Sequence, residues 1–375
     1  MNKQFESGIL VNQGYHKSFI PNKINHDWEI NDMQVINLLS QADRYLGRLD
    51  MYSEYVNIDL YISMHIAKEA TQSSRIEGTR TNVEDAFINK ESVIDEKRDD
   101  WEEVQNYINA MNNAVIQLHE LPFSGRLIKQ AHQVLLSGVR GEHKLPGEYR
   151  KSQNWIGGAT LNDAVFIPPP AQHVDELMSD LEKFANDISN PLPILLKAAL
   201  IHYQFETIHP FLDGNGRVGR LMITLYLVAQ GILKRPVLYL SDFFEKHKSL
   251  YYDNLTRART HNDINQWFKF FLTGVIETAK KGTETFDGIL QIQRSLDELL
   301  KPLAGRTSDA RLVLDEMFKN PVIDVAKVSG IIGKSNVSSY KLITDLENLG
   351  ILEEITGSSR DRLYAFKDYV ALFNQ

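Results

Sequence analysis

The stretch from His209 to Arg220, with the sequence HPFLDGNGRVGR, carries the side chains of this chain best suited to chemistry on phosphate groups. A histidine accepts a proton near neutral pH, a carboxylate can hold a cation, and arginines bind phosphate oxygens through forked pairs of donors. Gly214 and Gly216 allow the backbone to curl so that its amide hydrogens face one point. These residue types at this spacing predict a phosphate-handling site.

Helices on both sides are predicted to hold this stretch in place. Residues 193–206 are apolar nearly all round, which is typical of a helix inside a core. Pro210 is expected to end that helical pattern, because proline has no amide hydrogen to donate. Apolar residues then recur at helical spacing, at Val218, Leu221, Met222, Leu225 and Val228. The turn therefore opens onto a helix N-terminus, where free amides and the helix dipole favour an anion.

Each polar side chain in the stretch has a predicted role. His209 is the predicted general base. Asp213 is the predicted ligand of Mg²⁺, an ion that accepts one carboxylate together with phosphate oxygens. Arg217 and Arg220 lie three residues apart on one helix face, so they are predicted to grip neighbouring phosphates.

The stretch resembles the signature of the Fic family, His-x-Phe-x-Asp/Glu-Gly-Asn-Gly-Arg-x-x-Arg, at every fixed position. The resemblance extends over roughly residues 30–280. It implies a mainly α fold, in which a Fic-type helical bundle carries a small β-hairpin flap. It also implies a protein adenylyltransferase that moves AMP from Mg²⁺-ATP to a Ser, Thr or Tyr hydroxyl of a protein. His209 would then take the hydroxyl proton while Arg217 and Arg220 orient the β- and γ-phosphates.

A second motif lies on the predicted helix that starts near Asp59. Ser73, Glu77 and Gly78 fit the Ser/Thr-x-x-x-Glu-Gly/Asn inhibitory helix of self-restrained Fic proteins. The resemblance implies that Glu77 contacts Arg220, occupies the guanidinium that the terminal phosphate needs, and repels that phosphate. The alternative is an ordinary helix end, in which Glu77 faces solvent.

Residues 143–170 break the helical rhythm with Gly, Pro and Asn. Residues 155–156 and 164–167 predict two short strands around a turn. By place and composition this segment resembles the flap of Fic proteins, a hairpin that pairs with the target segment by strand addition. An ordinary surface hairpin is the alternative. The residues that the flap reading assigns to target docking are Val165, Phe166 and Ile167.

An aromatic pair, Tyr251 and Tyr252, follows the signature helix. In Fic proteins such a pair lies near the nucleotide base, so the resemblance implies that Tyr251 contacts adenine. A core position is the alternative, as it is for most aromatic residues at helical spacing. The resemblance thus assigns ATP contacts to Asp213, Gly214, Asn215, Gly216, Arg217, Arg220 and Tyr251.

The composition of the 375 residues, with 43% hydrophobic and 24% charged side chains, is typical of a globular protein with two or three domains. Forty-one basic and 49 acidic residues give a net charge of −8, which argues against a non-specific binder of nucleic acid or membrane surfaces. The absence of cysteine excludes disulfides, thiol nucleophiles and thiolate zinc sites. The sequence shows neither a secretory leader nor a run of about 18 apolar residues, so a cytoplasmic location without a membrane span is expected.

These patterns divide the chain into four predicted parts. Residues 1–100 form an N-terminal helical region that carries the inhibitory helix. Its first 30 residues are expected to form an extended arm. Residues 101–282 form the Fic catalytic domain. Residues 283–305 form a linker helix, and residues 306–375 form a winged helix-turn-helix domain.

The predicted winged helix-turn-helix domain consists of three helices followed by two strands. Residues 305–375 hold nine Lys or Arg and ten Asp or Glu, so the tail has no strong electrostatic footprint for DNA. Arg360 and Arg362 in the wing keep DNA binding open, and protein docking or stabilisation of a homodimer is an equally compatible role.

Two other readings of function stay open at this point. A Fic protein can remove AMP, using the inhibitory glutamate to position water, or transfer other groups from other nucleotide-containing donors. A protein of a different class, a winged-helix transcriptional regulator, would use the Fic domain only to sense nucleotide. Partners implied by the leading reading are ATP and a protein substrate, with self-modification near the flap as a further possibility.

Overall fold

The structure, a computed structural model, describes residues 5–55, 58–139, 141–357 and 361–374. Its described part is built mainly of α-helices with two small sheets, so the predicted mainly α class is confirmed. None of the helices within these ranges combines the length and the apolar character needed to cross a membrane.

The described residues form the following helices and strands. The helices are α1 (Met33–Asp50), α2 (Tyr52–Tyr55), α3 (Ile62–Ile76), α4 (Arg98–Gln117), α5 (Gly125–Leu135), α6 (Val174–Asn186), α7 (Ile194–Ile208), α8 (Asn215–Ala229), α9 (Ser241–Lys246), α10 (Lys248–His261), α11 (Ile264–Leu299), α12 (Thr307–Met317), α13 (Val325–Ile332), α14 (Asn336–Asn348) and α15 (Lys367–Ala371). The strands are β1 (Gly8–Asn12), β2 (Lys17–Pro21), β3 (Val322–Ile323), β4 (Leu352–Glu354) and β5 (Tyr364–Phe366).

Helices α7 and α8 pack against each other at the centre of the molecule. Every residue of α7 from Leu195 to Ile208 is buried, as its all-round apolar pattern predicts. Helices α3, α4 and α5 also contact α8. On the far side, the Trp267 indole of α11 donates a hydrogen bond to the Ala199 carbonyl of α7 at 2.9 Å. The loop between α7 and α8 is therefore anchored by two helices that are themselves enclosed.

Helix α11 is a single helix of 36 residues, whereas the sequence predicts separate helices around residues 267–272 and 280–303. The glycines in this region do not break the helix; they allow close packing. A Cβ atom on Gly274 would lie 2.7 Å from the ring of Phe243, and one on Gly282 would lie 2.9 Å from Leu49. The helix is held along its length by α1, α9, α10 and α15.

The N-terminal segment forms an antiparallel hairpin of β1 and β2, in which Gly8 pairs with Pro21. The expected extended arm is therefore wrong over these residues. Gly8 has a φ of 152°, and a Cβ atom there would lie 2.2 Å from the Ile20 carbonyl oxygen, so a side chain would not fit. The amide of Phe19 donates to the carbonyl of Ile167 at 2.9 Å, which attaches this hairpin to the segment predicted as the flap.

The two strands predicted over residues 155–156 and 164–167 are reduced to one antiparallel bridge between Ile156 and Phe166. Gly157 and Gly158 take positive φ angles directly after Ile156, which turns the chain away from an extended path. A capping box of Thr160 and Asp163 then closes a 3₁₀ turn. The hairpin is present, but its turn leaves no room for longer strands.

The C-terminal part follows the order α12, β3, α13, α14, β4, β5, with the strands arranged β3-β5-β4 in one antiparallel sheet. The three predicted helices and two predicted strands are found within a few residues of their expected ends. Strand β3 and helix α15 were not predicted, because a two-residue strand and a five-residue helix carry too little periodicity. Arg360 lies outside the described residues, and the winged-helix assignment stays a prediction.

Candidate active site

The loop between α7 and α8 opens into a cavity of about 790 Å³. This cavity brings together residues from the signature, from the end of α3, from α10 and from the hairpin around Ile156. Of the predicted site residues, those that line it are Glu77, Val165, Phe166, His209, Asp213, Gly214, Asn215, Gly216, Arg217, Arg220 and Tyr251. Ser73 does not line the cavity but accepts a hydrogen bond from Arg220. Ile167 does not line it either, and follows Phe166 in the chain.

The backbone at His209 is fixed on both sides. Its amide donates to the Phe205 carbonyl at 2.8 Å, and its φ of 50° places it in the left-handed region that ends α7. Its carbonyl accepts hydrogen bonds from Arg150 Nε at 2.9 Å and from Asn154 Nδ2 at 3.1 Å. A left-handed histidine is uncommon, and these contacts hold the ring at the cavity wall against that strain.

The imidazole of His209 is neutral. Burial lowers its pKa to about 3, and the nearby Arg259 and Arg150 add to the effect. Its Nδ1 atom lies 3.9 Å from Glu206 Oε2, and the side chain keeps 18% of its surface exposed. Burial raises the pKa of Glu206 to about 7. At neutral pH the ring is therefore unprotonated, which is the protonation state that a general base requires.

The loop that follows His209 is held by a side-chain clamp. Asn215 accepts from the Phe211 amide through Oδ1 and donates to the Phe211 carbonyl through Nδ2, both at 2.8 Å. The ring of His132 stacks on Phe211 with centroids 3.7 Å apart. Nδ1 of His132 accepts from the Gly147 amide at 2.8 Å, so its Nε2 donates to the Asp213 carbonyl at 3.0 Å. The side chain of Asn215 thus shapes the loop and leaves only its backbone amide for a ligand.

Backbone donors point to the same region. Gly214 has a φ of 75°, and its amide donates to Asp213 Oδ1 at 2.6 Å. The amides of Asn215 and Gly216 lie in the first turn of α8, where no preceding turn supplies acceptors. A Cβ atom on Gly216 would lie 2.4 Å from Glu77 Oε1, so only glycine lets the carboxylate approach this helix end.

Arg217 is buried between two carboxylates. Its Nη1 lies 3.2 Å from Glu103 Oε2 of α4, and its Nη2 lies 3.7 Å from Asp213 Oδ1. Glu103 was not anticipated from the sequence. It fixes the guanidinium from the helix side and leaves the cavity side to Asp213.

Arg220 is the most enclosed charge of the site, with 1% of its side chain exposed. Its Nη2 lies 2.7 Å from Glu77 Oε1, and its Nε and Nη2 each donate to Ser73, at the hydroxyl and the carbonyl, at 2.9 Å. Burial disfavours the charge of both partners, but their mutual attraction and hydrogen bond outweigh it. As a result, the pKa of Arg220 is raised and the pKa of Glu77 is lowered. The geometry expected for Glu77, Ser73 and Arg220 is thus present.

Tyr251 is enclosed behind the cavity wall. Its hydroxyl donates to Nε2 of His202 at 2.8 Å, because Nδ1 of His202 donates to the Gly219 carbonyl at 2.9 Å. Its ring stacks on Phe244 with centroids 4.5 Å apart. The neighbouring Tyr252 also lines the cavity and is more exposed. The predicted adenine contact of Tyr251 stays a prediction, and Tyr252 is the more accessible of the two rings.

The flap residues differ in accessibility. Val165 has 77% of its surface exposed at the cavity mouth. Phe166 lies under the guanidinium of Arg259, which is 4.1 Å from the ring centroid. Ile167 accepts from the Phe19 amide, so the N-terminal hairpin already uses part of its backbone edge. Arg259 is held in turn by Thr207 Oγ1 at 3.1 Å.

Sequence reasoning missed several side chains that complete the site. The clearest signal was available for Glu206, since it lies three residues before His209 on a mainly apolar helix, where a carboxylate is expected to be buried and paired. Arg150, Asn154 and Arg259 carry no such signal. Each reaches the site from a distant part of the chain, and only the fold brings them there.

Two segments of the chain match known family descriptions. Residues 122–227 match the Fic/DOC family, and residues 36–116 match the N-terminal domain of the same family. Residues 122–227 form a Fic/DOC domain. The first match contains the whole signature, and the second contains α3 with Ser73 and Glu77.

Curated relatives share this region at moderate identity. A probable protein adenylyltransferase from Aquifex aeolicus is 38% identical over 89 residues, which are 24% of this chain and 26% of the relative. The protein adenylyltransferase Fic of Drosophila melanogaster is 34% identical over 125 residues, which are 33% of this chain and 23% of the relative. The chain thus covers only about a quarter of the length of these Fic/DOC relatives.

Two solved structures share the fold. A Fic family protein from Desulfovibrio desulfuricans aligns with a TM-score of 0.57 at 21% identity, over 91% of this chain and 98% of its own. A Fic domain containing signalling protein from Bacteroides thetaiotaomicron aligns with a TM-score of 0.51 at 19% identity, over 67% of this chain and 96% of its own. These similarities establish the Fic fold for this chain.

The buried histidines predict that this protein loses stability in mild acid. Burial lowers the pKa of His65, His202 and His209 to about 3 and that of His132 to about 4, below the ordinary 6.5. The unfolded chain therefore binds protons below about pH 6.5 that the folded chain does not, so the free energy of unfolding falls as pH drops from 7 to 4. Glu206 opposes this, because its raised pKa adds stability that is present below about pH 4.5 and lost as pH rises through 7.

Burial also raises the pKa of Glu69, which therefore acts in the same direction as Glu206. The four histidines outweigh these two carboxyls, so the midpoint of urea unfolding is expected to be lower at pH 5 than at pH 7.5. Urea titrations followed by tryptophan fluorescence at both pH values measure this directly. An equal or higher midpoint at pH 5 would contradict the neutral state assigned to these histidines.

Proposed function

We propose that this protein is a nucleotidyltransferase that moves AMP from ATP to a Ser, Thr or Tyr hydroxyl of a target protein. The observation that carries the proposal is the neutral His209 ring at the wall of a cavity that also holds the N-terminus of α8, Arg217 and Arg220. A proton acceptor beside a cluster of phosphate-binding donors is the arrangement that such a transfer needs. The names of the curated relatives support the same reaction class.

The triphosphate would bind at the end of α8. The free amides of Asn215 and Gly216 and the positive end of the helix dipole favour phosphate oxygens. Arg217 and Arg220 offer forked donors for the β- and γ-phosphates. Adenine would lie toward α10, where Tyr251 and Tyr252 line the cavity.

Asp213 fits the requirements of a Mg²⁺ ligand in this site. Its Oδ1 contacts the Gly214 amide and Arg217, whereas its Oδ2 accepts no hydrogen bond from the residues that the structure describes, and the side chain is 44% exposed. Mg²⁺ binds through one carboxylate together with phosphates and water, rather than in an all-protein cage. When bound, the ion would neutralise phosphate charge beside Asp213.

The transfer conserves atoms and charge in one displacement. The target hydroxyl oxygen attacks the α-phosphorus, its proton goes to His209, and the bond from the α-phosphorus to the leaving pyrophosphate breaks. The products are a protein adenylyl ester and pyrophosphate. Fixing the His209 backbone through Arg150 and Asn154 contributes by holding the base at one position before the target arrives.

Glu77 would restrain this activity. Its carboxylate occupies Arg220 at 2.7 Å, and Ser73 holds the same guanidinium from the other side. A γ-phosphate at Arg220 would meet the negative charge of Glu77 at close range. ATP would then bind with its α-phosphorus out of line for the attacking hydroxyl, so the protein would be self-restrained.

The four parts of the chain follow from this proposal. Residues 1–100 carry the restraint, residues 101–282 the catalytic domain, and residues 306–375 a winged helix that docks protein or DNA. The linker at residues 283–305 begins inside α11, which is continuous with the catalytic part. A movement of the C-terminal part would therefore be transmitted along a rigid helix.

The exposed flap gives a prediction about target docking. Val165→Glu is expected to lower AMP transfer to a protein target at least tenfold, because a charge at the cavity mouth opposes an incoming apolar segment. ATP binding, measured by calorimetry, is expected to stay within twofold. Ile188→Glu, at an apolar residue that is 98% exposed and does not line the cavity, is the matched control. Equal losses in both variants would rule out a docking role for the flap.

The proposed function is tested with ATP labelled in the adenine ring. Full-length Glu77→Gly protein is incubated with labelled ATP, Mg²⁺ and a cell extract, and proteins are separated by denaturing electrophoresis. Label on proteins from the extract or on the chain itself supports transfer. Label that only wild type removes from premodified protein would instead support the reverse, hydrolytic reaction. Binding of a specific DNA without any labelling would support the nucleotide-sensing regulator.

A further inference from the structure

A second cavity, of about 140 Å³, is lined in part by the same helix, α3, that carries Ser73 and Glu77 at its end. It is lined by α3, α9, α11 and the C-terminal Phe373, and it shares no lining residue with the 790 Å³ cavity. Its volume is several times what one water molecule occupies, so it can hold a small ligand. Neither the signature nor the proposed transfer uses any of its residues.

Three buried polar atoms in the wall of this cavity form no hydrogen bond with any residue that the structure describes: His65 Nε2, Gln72 Oε1 and Tyr239 Oη. Two of them, on His65 and Tyr239, can donate to an anion, and these side chains are 6% and 7% exposed. Phe286 and Phe373 flank the His65 ring at centroid distances of 4.6 and 4.9 Å. An unpaired buried polar atom is unfavourable, so a bound molecule that supplied a partner would be favoured.

The charges around the cavity select an anion. Lys68 of α3 forms no ion pair with a described carboxylate, and although burial lowers its pKa to about 8, it is still charged at neutral pH. Lys281 and Lys246 add two cations, of which Lys281 lies 2.7 Å from Asp242. An anionic group between Lys68 and these neighbours would supply the missing partner.

The carboxylates in the lining do not fill that place. Asp242 acts to raise the pKa of Lys68 but forms its ion pair with Lys281, at 2.7 Å, and Glu277 is exposed on α11. Glu69 accepts from Ser241 N at 3.1 Å and Ser241 Oγ at 2.5 Å, and from the Tyr107 hydroxyl at 3.1 Å. Glu69 is thus directed toward α9 and α4 rather than toward Lys68.

We propose that this cavity binds the anionic group of a small ligand, a phosphate or a carboxylate, with Lys68 as its counter-ion and Tyr239 as a donor. The ligand acts on the restraint, because its site is built on the helix that carries Ser73 and Glu77. His65, Lys68 and Gln72 line one face of α3, and Ser73 follows directly with its contacts to Arg220. The proposed effect on the restraint rests on the proposed function, whereas the proposed anion binding does not.

The direction of regulation follows from linkage. The cavity exists in the structure in which Glu77 contacts Arg220. A ligand that fits this state of α3 binds it more tightly than any state in which α3 has moved, so occupancy strengthens the restraint. The anion is thus a negative regulator of AMP transfer.

Binding is tested by equilibrium dialysis of the full chain against labelled inorganic phosphate. Lys68→Met is expected to lose one site, seen as an affinity at least tenfold weaker, and Tyr239→Phe is expected to weaken binding severalfold. Lys280→Met, the same change of charge on α11 outside the cavity, is expected to match wild type. Competition with acetate distinguishes a carboxylate preference from a phosphate preference.

Phosphate that binds wild type and Lys68→Met equally would overturn the site. Should Lys68→Met fail to fold, the Tyr239→Phe variant decides, since it removes only a hydroxyl. The proposed effect on the restraint is read from labelling with ATP: phosphate is expected to slow wild type at least threefold more than Lys68→Met or Glu77→Gly. Equal slowing of all three overturns the regulation. If phosphate binds but neither wild type nor any variant transfers label from ATP, the proposed function is contradicted and the proposed anion site is not.

Discussion

Glu77→Gly protein is expected to transfer AMP about 5- to 150-fold faster than wild type, the range of a coupling free energy of about 1–3 kcal/mol. The reason is the 2.7 Å contact that ties the Arg220 guanidinium to the Glu77 carboxylate. Removing the carboxylate leaves Arg220 to the γ-phosphate and also removes the repulsion at that place. Initial rates of label incorporation from adenine-labelled ATP, at equal protein concentrations, measure the change.

Two further variants separate charge from backbone effects at this position. Glu77→Gln keeps the shape of the side chain without its charge, so its rate is expected to lie between wild type and Glu77→Gly. Glu77 ends α3 with ordinary helical angles, so glycine there is tolerated, and thermal melting checks that the fold is retained. A Glu77→Gly rate at or below that of wild type would contradict the proposed inhibition by Glu77.

Alanine in place of His209 is expected to lower AMP transfer by at least about 10²-fold in the Glu77→Gly background, the lower end of the loss of a general base. The imidazole is the neutral proton acceptor at the cavity wall, and Nδ1 of its ring has no hydrogen-bond partner among the described residues. Because the ring has no assigned contact with the triphosphate, kcat is expected to fall while the affinity for ATP stays within a few-fold. Single-turnover labelling and calorimetry with a non-hydrolysable ATP analogue provide the two readings.

If ATP affinity and transfer rate fall by the same factor, His209 stabilises the loop and does not act as the general base. His209→Asn is the control for that case, since it keeps a polar side chain and tolerates the left-handed backbone at this position. Transfer that continues undiminished in both variants would exclude His209 as the base.

The catalytic loop was predictable because its chemistry is contiguous in the sequence. Pro210, the two glycines and the arginines fix a turn and a helix N-terminus within one stretch, and the structure places His209, Asp213 and Arg217 at one cavity. The ends of α7 and α8 follow from the same local signals. Turn and helix-end signals in the sequence were therefore sufficient for the part of the site formed by one continuous stretch.

The supporting residues were not predictable, because they come from distant parts of the chain. Arg150 reaches the His209 carbonyl across 59 positions, and Glu103 reaches Arg217 across 114. The N-terminal hairpin escaped notice because its strands carry little alternation. The sequence analysis placed a boundary at residue 282, where the structure continues the single helix α11. Glycine has a low helix propensity, but Gly274 and Gly282 allow close packing against Phe243 and Leu49 within this helix.

If His209 takes the proton of a hydroxyl that attacks the α-phosphorus of ATP, the phosphate that stays on protein is the α-phosphate. Glu77→Gly protein is incubated in parallel with ATP labelled at the α-phosphorus and with ATP labelled at the γ-phosphorus, and the label that stays on protein after denaturation is measured. We expect protein to retain the α-label alone, and to lose it when His209 is replaced by alanine. Retention of the γ-label, or of neither label, would exclude AMP transfer by this site.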